Sequence, residues 1–243
     1  MEFKESKYNY DNVIEVRDQS EVSSRRFMAG VFSWMGVALG VSAITVYLFL
    51  NMGLISLIFA PTGGITGFGI FALFSPLAFS LVMQFGYNRI SYPVLVLLFV
   101  AYATLIGISL STLFLMYTAA SILGVFITAS VTFGIMAVAG YTTQMDLTKF
   151  GSIMYILFIG IFVASIANFF MHSEQMGYII SYIGIAVFTG LTAYYMQMLK
   201  RVGAGIEYGD ASSKKLALMG ALTLYITLIN LFFMMLRLFG RRR

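Results

Sequence analysis

Long, unbroken apolar runs are the feature that most narrows what this chain can fold into. A membrane-crossing helix needs about 20 predominantly apolar residues. With 60% of its 243 residues hydrophobic, the chain holds enough apolar sequence for roughly seven such spans and leaves nothing for a sizeable soluble core. Only 10% of the residues are charged, where a soluble domain carries about 25%. A cytosolic enzyme and a disordered chain are both ruled out. The runs are continuously apolar rather than alternating, which argues against an outer-membrane barrel. The reading is an all-α, polytopic membrane protein of seven transmembrane helices, with the lipid bilayer as its first partner.

The first span follows Arg25-Arg26 and reaches about Leu50. Asn51 to Gly69 is a long connection broken by Pro61 and Gly63-Gly64, with an apolar stretch, Leu54–Ala60, that dips into the interface. The second span runs from Ile70 to Phe85 around an internal Pro76, and the third from Pro93, a good first-turn residue, to Leu115. The remaining spans are Ala119–Gly140, Phe150–Met171, Gly177–Leu199 and Leu216–Phe239. Polar connections lie at Tyr141–Thr148, His172–Glu174 and Lys200–Lys215. Three parts result: a polar tail over residues 1–24, a seven-helix domain over 25–240, and a basic tail over 241–243.

The excess of basic residues sets topology rather than nucleic-acid binding. If the N-terminus is cytoplasmic, eleven basic residues face inward: Lys4, Lys7, Arg17, Arg25, Arg26, Arg89, Lys149, Lys200, Arg201, Lys214 and Lys215. Four face outward: Arg237, Arg241, Arg242 and Arg243. The opening residues are polar and acidic, without the apolar core of a secretory signal.

Ionisable groups inside a membrane are functional candidates by default, and here the spans hold almost none. The acidic residues fall in the tail (Glu2, Glu5, Asp11, Glu15, Asp18, Glu21) or in connections (Asp146, Glu174, Glu207, Asp210). Arg237, near a helix end, can snorkel. The membrane interior therefore offers no obvious proton carrier and no carboxylate cage for a hard cation. Cysteine is absent and His172 is the only histidine, so neither a thiolate site nor a several-ligand metal site can be assembled. Gly203-Ala-Gly205 follows no strand and is too short for a phosphate-binding turn. Glu207 and Asp210 read as a solvated connection balancing its lysines, with contact to a cation as the sharper alternative. No Ser/His/Asp set exists within the spans. No catalytic residue, cofactor or metal site is expected.

Helix packing is more legible. Gly36 and Gly40 form a GxxxG pair, and Ala103, Gly107 and Ser111 continue the spacing, as do Gly160 with Ala164 and Ala186 with Gly190. Small residues at this spacing let helices approach closely in lipid, within the bundle or, as a lesser alternative, between copies. Among the polar residues, Asn168, Tyr194, Gln197, Tyr225 and Asn230 are candidates for interhelical hydrogen bonds, with the sixth and seventh helices facing each other through them. A polar permeation route is the sharper reading of the same residues.

Three stretches together resemble the transmembrane Bax inhibitor motif family in its bacterial branch. They are Ala101–Ser111 (AYATLIGISLS), Phe188–Lys200 (FTGLTAYYMQMLK) and Gly220–Phe232 (GALTLYITLINLF) followed by Arg237. The resemblance covers about residues 25–240. It implies seven helices with the last lying centrally, in a bacterial inner membrane. It also implies a pH-sensitive calcium leak gated by two aspartates sharing a proton, since two close carboxylates cannot both ionise cheaply. The positions matching those aspartates are Tyr195 and Thr227, so both carboxylates are missing. The resemblance further implies binding to and modulation of a membrane-bound protease, FtsH, or a larger membrane assembly, for which the charged tail over residues 1–24 is a suitable handle. A regulatory or interaction role is favoured over transport.

The basic bias generates a direct test of topology. Reporter fusions at residue 243 should give a non-cytoplasmic signal, placing the two ends of the chain on opposite sides; a cytoplasmic signal there would defeat the seven-span arrangement.

Overall fold

The computed structural model describes residues 10–60, 64–206 and 209–243, with side chains from Ser20 onward. Among these residues the chain forms seven long helices: α1 (Tyr10–Asn51), α2 (Gly67–Gly86), α3 (Tyr92–Met116), α4 (Ala119–Thr142), α5 (Thr148–Met171), α6 (Glu174–Ala204) and α7 (Ala211–Phe239). All seven are long and apolar enough to cross a membrane. Helices are the natural outcome, because lipid offers no partner to a bare peptide group and a helix satisfies its own. Thr66, Thr118, Ser173 and Asp210 start α2, α4, α6 and α7 by accepting a hydrogen bond from the N–H of the third residue on, the usual way to quiet a free helix N-terminus.

Two helices reach beyond their apolar runs. α1 begins at Tyr10 rather than after Arg26, because no glycine or proline interrupts the polar stretch between them and nothing else stops a helix from continuing into water. Its 42 residues extend over about 63 Å at the helical rise, twice the roughly 30 Å hydrocarbon thickness. α6 runs on to Ala204. The two are tied at this end by Ser24 Oγ, which donates to the Lys200 carbonyl at 3.1 Å.

The connection between α1 and α2 departs from expectation. Leu54–Leu57 forms a short 3-10 turn, and Ile58 beyond it is fully buried against Phe49, Ala72, Leu105 and Ile108. The apolar stretch read as an interfacial dip instead plugs one end of the bundle between α1, α2 and α3. At the same end the C-terminus is strapped across the α3–α4 turn. Arg241 N–H donates to Ser121 Oγ at 2.8 Å, Arg243 N–H donates to the Met116 carbonyl at 3.0 Å, and Arg242 pairs with Glu174 at 3.3 Å. The two ends of the described chain thus lie at opposite ends of the bundle, as an odd number of spans requires.

α7 is the central helix. Two thirds of its most apolar window is buried (67%), against 11% for α5. α1, α3, α4 and α6 pack against it, α2 touches it, and α5 leans on α6 at the edge. The core gathers around Tyr225, Leu222, Leu218 and Leu231 of α7 with Phe27, Phe99, Leu95 and Leu191 from its neighbours.

Close approach occurs at particular glycines. A side chain on Gly107 would fall 2.6 Å from Thr45 Cβ and 2.7 Å from the Ser42 carbonyl oxygen, so α3 and α1 touch there backbone to backbone. Gly140 of α4 is pressed in the same way against the Ala193 backbone of α6. Gly190 meets the ends of Met154 and Phe150 on α5, side chains that can move aside. The expectation for Gly36 and Gly40 is corrected: both are exposed, and a side chain on either would meet nothing within 4 Å. Four-residue spacing places two glycines on one face but does not say which face meets a neighbour. The inward face of α1 is Phe27, Val31, Met35, Ala38 and Ser42, turned away from both.

Leucine substitutions should follow this division. Gly107→Leu should lower thermal stability in detergent by about 1–3 kcal/mol, the usual cost of overpacking, whereas Gly36→Leu should leave the unfolding midpoint unchanged.

Candidate functional site

The positions that match the family's paired aspartates sit on the two most buried helices but face different neighbours. Tyr195 is half-buried on α6, with its ring 5.4 Å from that of Tyr194 and its phenol near Tyr155 of α5. Phe158 of α5 links Tyr155 to Phe188 of α6 through ring contacts at 6.1 and 5.8 Å. Tyr195 therefore belongs to an aromatic seam between α5 and α6. Thr227 is buried on α7, and its hydroxyl donates to the carbonyl of Thr223 one turn back, at 2.8 Å.

The expectation that α6 and α7 face each other through hydrogen bonds is overturned. Asn230 Nδ2 donates to the Ile226 carbonyl at 2.8 Å within α7, and α6 and α7 meet through close packing, with Gly177 against Arg237, Gly184 against Met234 and Gly220 against Leu199. A polar side chain inside a helix can always reach the carbonyl one turn back, and here that local partner wins over one across the interface. Gln197 also looks elsewhere. Its Oε1 accepts from Leu147 N–H at 2.9 Å and its Nε2 donates to the Met145 carbonyl at 2.7 Å, so it clamps the α4–α5 connection onto α6. Asn168 acts at the α5–α6 turn, where its Oδ1 accepts from Ser173 N–H at 3.2 Å and its carbonyl accepts from His172 N–H at 2.9 Å. Tyr194 lies over Gly151 of α5.

Two interhelical hydrogen bonds at the centre of the bundle meet on a residue that sequence reading passed over. Ser42 Oγ donates to the Ala103 carbonyl at 2.7 Å and lies 2.6 Å from the Tyr225 hydroxyl. Because a carbonyl only accepts, the serine proton is committed to Ala103 and Tyr225 must donate to Ser42. One hydroxyl thus joins α7, α1 and α3, with Tyr102 edge-on to Tyr225 at 5.9 Å. The available signal was a hydroxyl within the apolar run of α1, a feature that Ser33 and Thr45 share.

At the end where α1 begins, charges are fixed in place. Arg201 pairs with Asp146 at 2.8 Å, while Thr148 donates to the same carboxylate oxygen from its hydroxyl at 2.7 Å and from its N–H at 3.1 Å. These bonds, the Thr148 hydroxyl first, hold the Asp146 carboxyl at about 2. The contribution is present above the ordinary carboxylate pKa and is lost only as pH falls through that value, so the pair is no switch near neutrality. Asp210 is likewise held below its ordinary value by its bonds from Ser213 at the start of α7. Lys200 Nζ donates to the Tyr141 carbonyl at 2.8 Å and sits 4.7 Å over the ring. Glu207 lies outside the described residues. His172 closes α5 with a left-handed backbone (φ 53°) and is exposed. Among the described residues no three His, Cys, Asp or Glu side chains come together in a way that could hold a metal.

A buried central helix, ringed by apolar helices and held by one hydroxyl junction, defines a polytopic membrane protein without a hydrophilic core. The chain belongs to the family described as Inhibitor of apoptosis-promoting Bax1, whose model matches residues 24–243. It is 39% identical over 227 residues to the inner membrane protein YbhL of Escherichia coli K12, covering 93% of this chain and 95% of that one. It is also 39% identical to an uncharacterized protein of Rickettsia prowazekii (90% and 91% covered) and 34% identical to one of Borreliella burgdorferi (93% and 96%).

The Gln197 clamp can be tested directly. Gln197→Leu leaves the Leu147 N–H and the Met145 carbonyl without their partner, and should cost about 1–3 kcal/mol. Hydrogen exchange at residues 145–148 should rise more than anywhere in α7.

Proposed function

We propose that this chain is a regulatory or interaction partner in a membrane assembly, such as one built around a membrane-bound protease of the FtsH type, rather than a proton-gated calcium leak. It works without catalysis of its own, in a bacterial inner membrane as YbhL's name states for that relative, with its N-terminus in the cytoplasm as the basic bias favours.

The observation that carries this reading is the fate of the paired-aspartate positions. An aspartate pair gates by sharing one proton across a short gap. A tyrosine phenol ordinarily titrates near 10 and a threonine hydroxyl not at all in this range, so neither residue can share a proton near neutral pH. Their polar groups are also directed apart, one into the α5–α6 seam and the other onto its own backbone. Among the described residues the spans carry carboxylates only at their ends, Glu21 and Glu174, so none takes their place in the interior. The interaction reading is supported by the form of α1, which continues from the apolar span back to Tyr10 and so projects a polar helical segment beyond the bilayer. Such a segment is easily gripped.

Two measurements separate the readings. Deleting residues 1–24 should leave the helical domain folded while abolishing co-purification of the partner from native membranes; undiminished capture would move the interface to the helices or the opposite loops. In liposomes, calcium flux through the unmodified protein should be small and nearly flat between about pH 6 and 8, and Tyr195→Asp with Thr227→Asp should introduce pH dependence. A strong pH-gated flux in the unmodified protein would sink the proposal.

A further inference from the structure

α1 and α4 hardly meet, although both lean on α6 and α7 behind them. At the end where α1 begins, two adjoining cavities open in the seam between them. The outer one, about 250 Å³, is walled by Ser24, Arg25, Tyr141 and Lys200 with Ser20 and Glu21 at its edge. The inner one, about 300 Å³, is walled by Met28, Phe32, Ala137, Val138 and Met196. Arg25 and Tyr141 line both, so the polar chamber and the apolar one adjoin at these two side chains.

This is an amphipathic slot placed where the membrane changes character. Arg25 and Phe32 are separated by two helical turns, about 10 Å along α1, which is the distance over which headgroups give way to hydrocarbon. Lys, Arg and Tyr mark that boundary in membrane proteins generally. Further in, Gly36 lies one turn beyond Phe32 and Gly134 one turn before Val138, and side chains on either would meet nothing within 4 Å. They leave the seam open toward a third apolar cavity, about 440 Å³, where Ala43 and Val46 of α1 face Leu123 and Phe126 of α4.

Charge decides what enters. Glu21 pairs loosely with Arg25 at 3.9 Å, both side chains being largely exposed. The outer chamber is then left with one net positive charge, that of Lys200. Its ammonium gives one of its three donors to the Tyr141 carbonyl and keeps two. A phosphodiester supplies the matching single negative charge and the oxygens to accept from Lys200 and Arg25. A protein helix, about 10 Å across with its side chains, is too broad for a chamber of about 300 Å³; a single hydrocarbon chain is not.

We propose that the α1–α4 seam binds one anionic phospholipid, its phosphodiester at Arg25 and Lys200 and one acyl chain running inward between Phe32 and Val138.

The test compares phosphatidylglycerol with phosphatidylcholine of the same chain length, added to the delipidated, detergent-purified full chain. Phosphatidylglycerol should be retained as one molecule per chain by native mass spectrometry and should raise the unfolding temperature, with phosphatidylcholine doing neither. Arg25→Gln should weaken phosphatidylglycerol binding about tenfold or more, the worth of one charged hydrogen bond, and Val138→Trp should abolish retention by filling the inner chamber. Both side chains are exposed, at 76% and 64%, so neither change burdens the core, and the comparison on the unmodified protein stands without them. Equal effects of the two lipids, or undiminished retention by both variants, would overturn the proposal. Because the chain has no cysteine, Val138→Cys also reports on a second copy: a disulfide-linked dimer formed in native membranes would assign the seam to the partner chain and overturn it as well.

Discussion

A helix can occupy the centre of a lipid-embedded bundle only if its neighbours come close enough to replace lipid completely. Apolar contact alone does not drive this, since lipid tails are as apolar as leucine, and close packing with a few hydrogen bonds must do the work. In this chain both meet at one place. Gly107 brings α3 against the backbone of α1 at Ser42 and Thr45. The Ser42 hydroxyl, set at that contact, joins the Ala103 carbonyl of α3 to the Tyr225 phenol of α7. A bulkier residue at 107 would part the two helices that hold Ser42 in reach of Tyr225. The location of α7, and with it the arrangement of α4 and α6 around it, rests on that three-helix junction.

The seven spans and the central last helix were legible in the sequence because they depend on quantities a sequence carries directly: the length of apolar runs, the residues that break them, and the family pattern. What was not legible depends on direction. Gly36 and Gly40 have the right spacing for a close helix contact, yet the inward face of α1 is fixed by Phe27, Val31, Met35 and Ala38, and spacing alone cannot distinguish the two faces. Gln197 and Asn230 were recognisable as amides in need of partners. That Gln197 would find two in the α4–α5 connection, and Asn230 one in its own helix, is set by how the chain folds back. The start of α1 at Tyr10 was missed because the sequence was divided by hydropathy, whereas a helix ends only where its backbone is stopped.

Many hydroxyls within the spans follow one rule, although Ser24 and Ser42 bond across helices and the buried Ser75 and Thr189 hydroxyls have no partner. Thr45, Ser181, Thr192, Thr223 and Thr227 each return their hydroxyl to a carbonyl one turn back in their own helix. Such a bond asks nothing of a neighbouring helix and leaves no polar group reaching into the centre. A threonine at position 227 fits the rule and an aspartate would not, because a carboxylate only accepts and finds no donor among the carbonyls of the preceding turn. The Thr227 hydroxyl is thereby satisfied within α7 and asks for no partner across the interface with α6.

The seam between α1 and α4 is the counterpart of that closed centre. Several glycines are filled by a neighbour: Ser42 and Thr45 at Gly107, Ala193 at Gly140, Tyr194 at Gly151, Phe27 at Gly203, whereas others, such as Gly124 and Gly160, face open space. At Gly36, Gly40 and Gly134 nothing arrives. Space beside a protein in a bilayer does not stay empty, so whatever the helices leave unfilled is completed by lipid. Along most of the surface that lipid meets an unbroken apolar wall and any chain serves. At the mouth of this seam it also meets Arg25 and Lys200 at the depth of a headgroup, and the charge then selects which lipid completes the wall. Small residues thus have two opposite outcomes in one bundle, letting α3 close onto α1 at Gly107 and leaving room between α1 and α4 at Gly36 and Gly134.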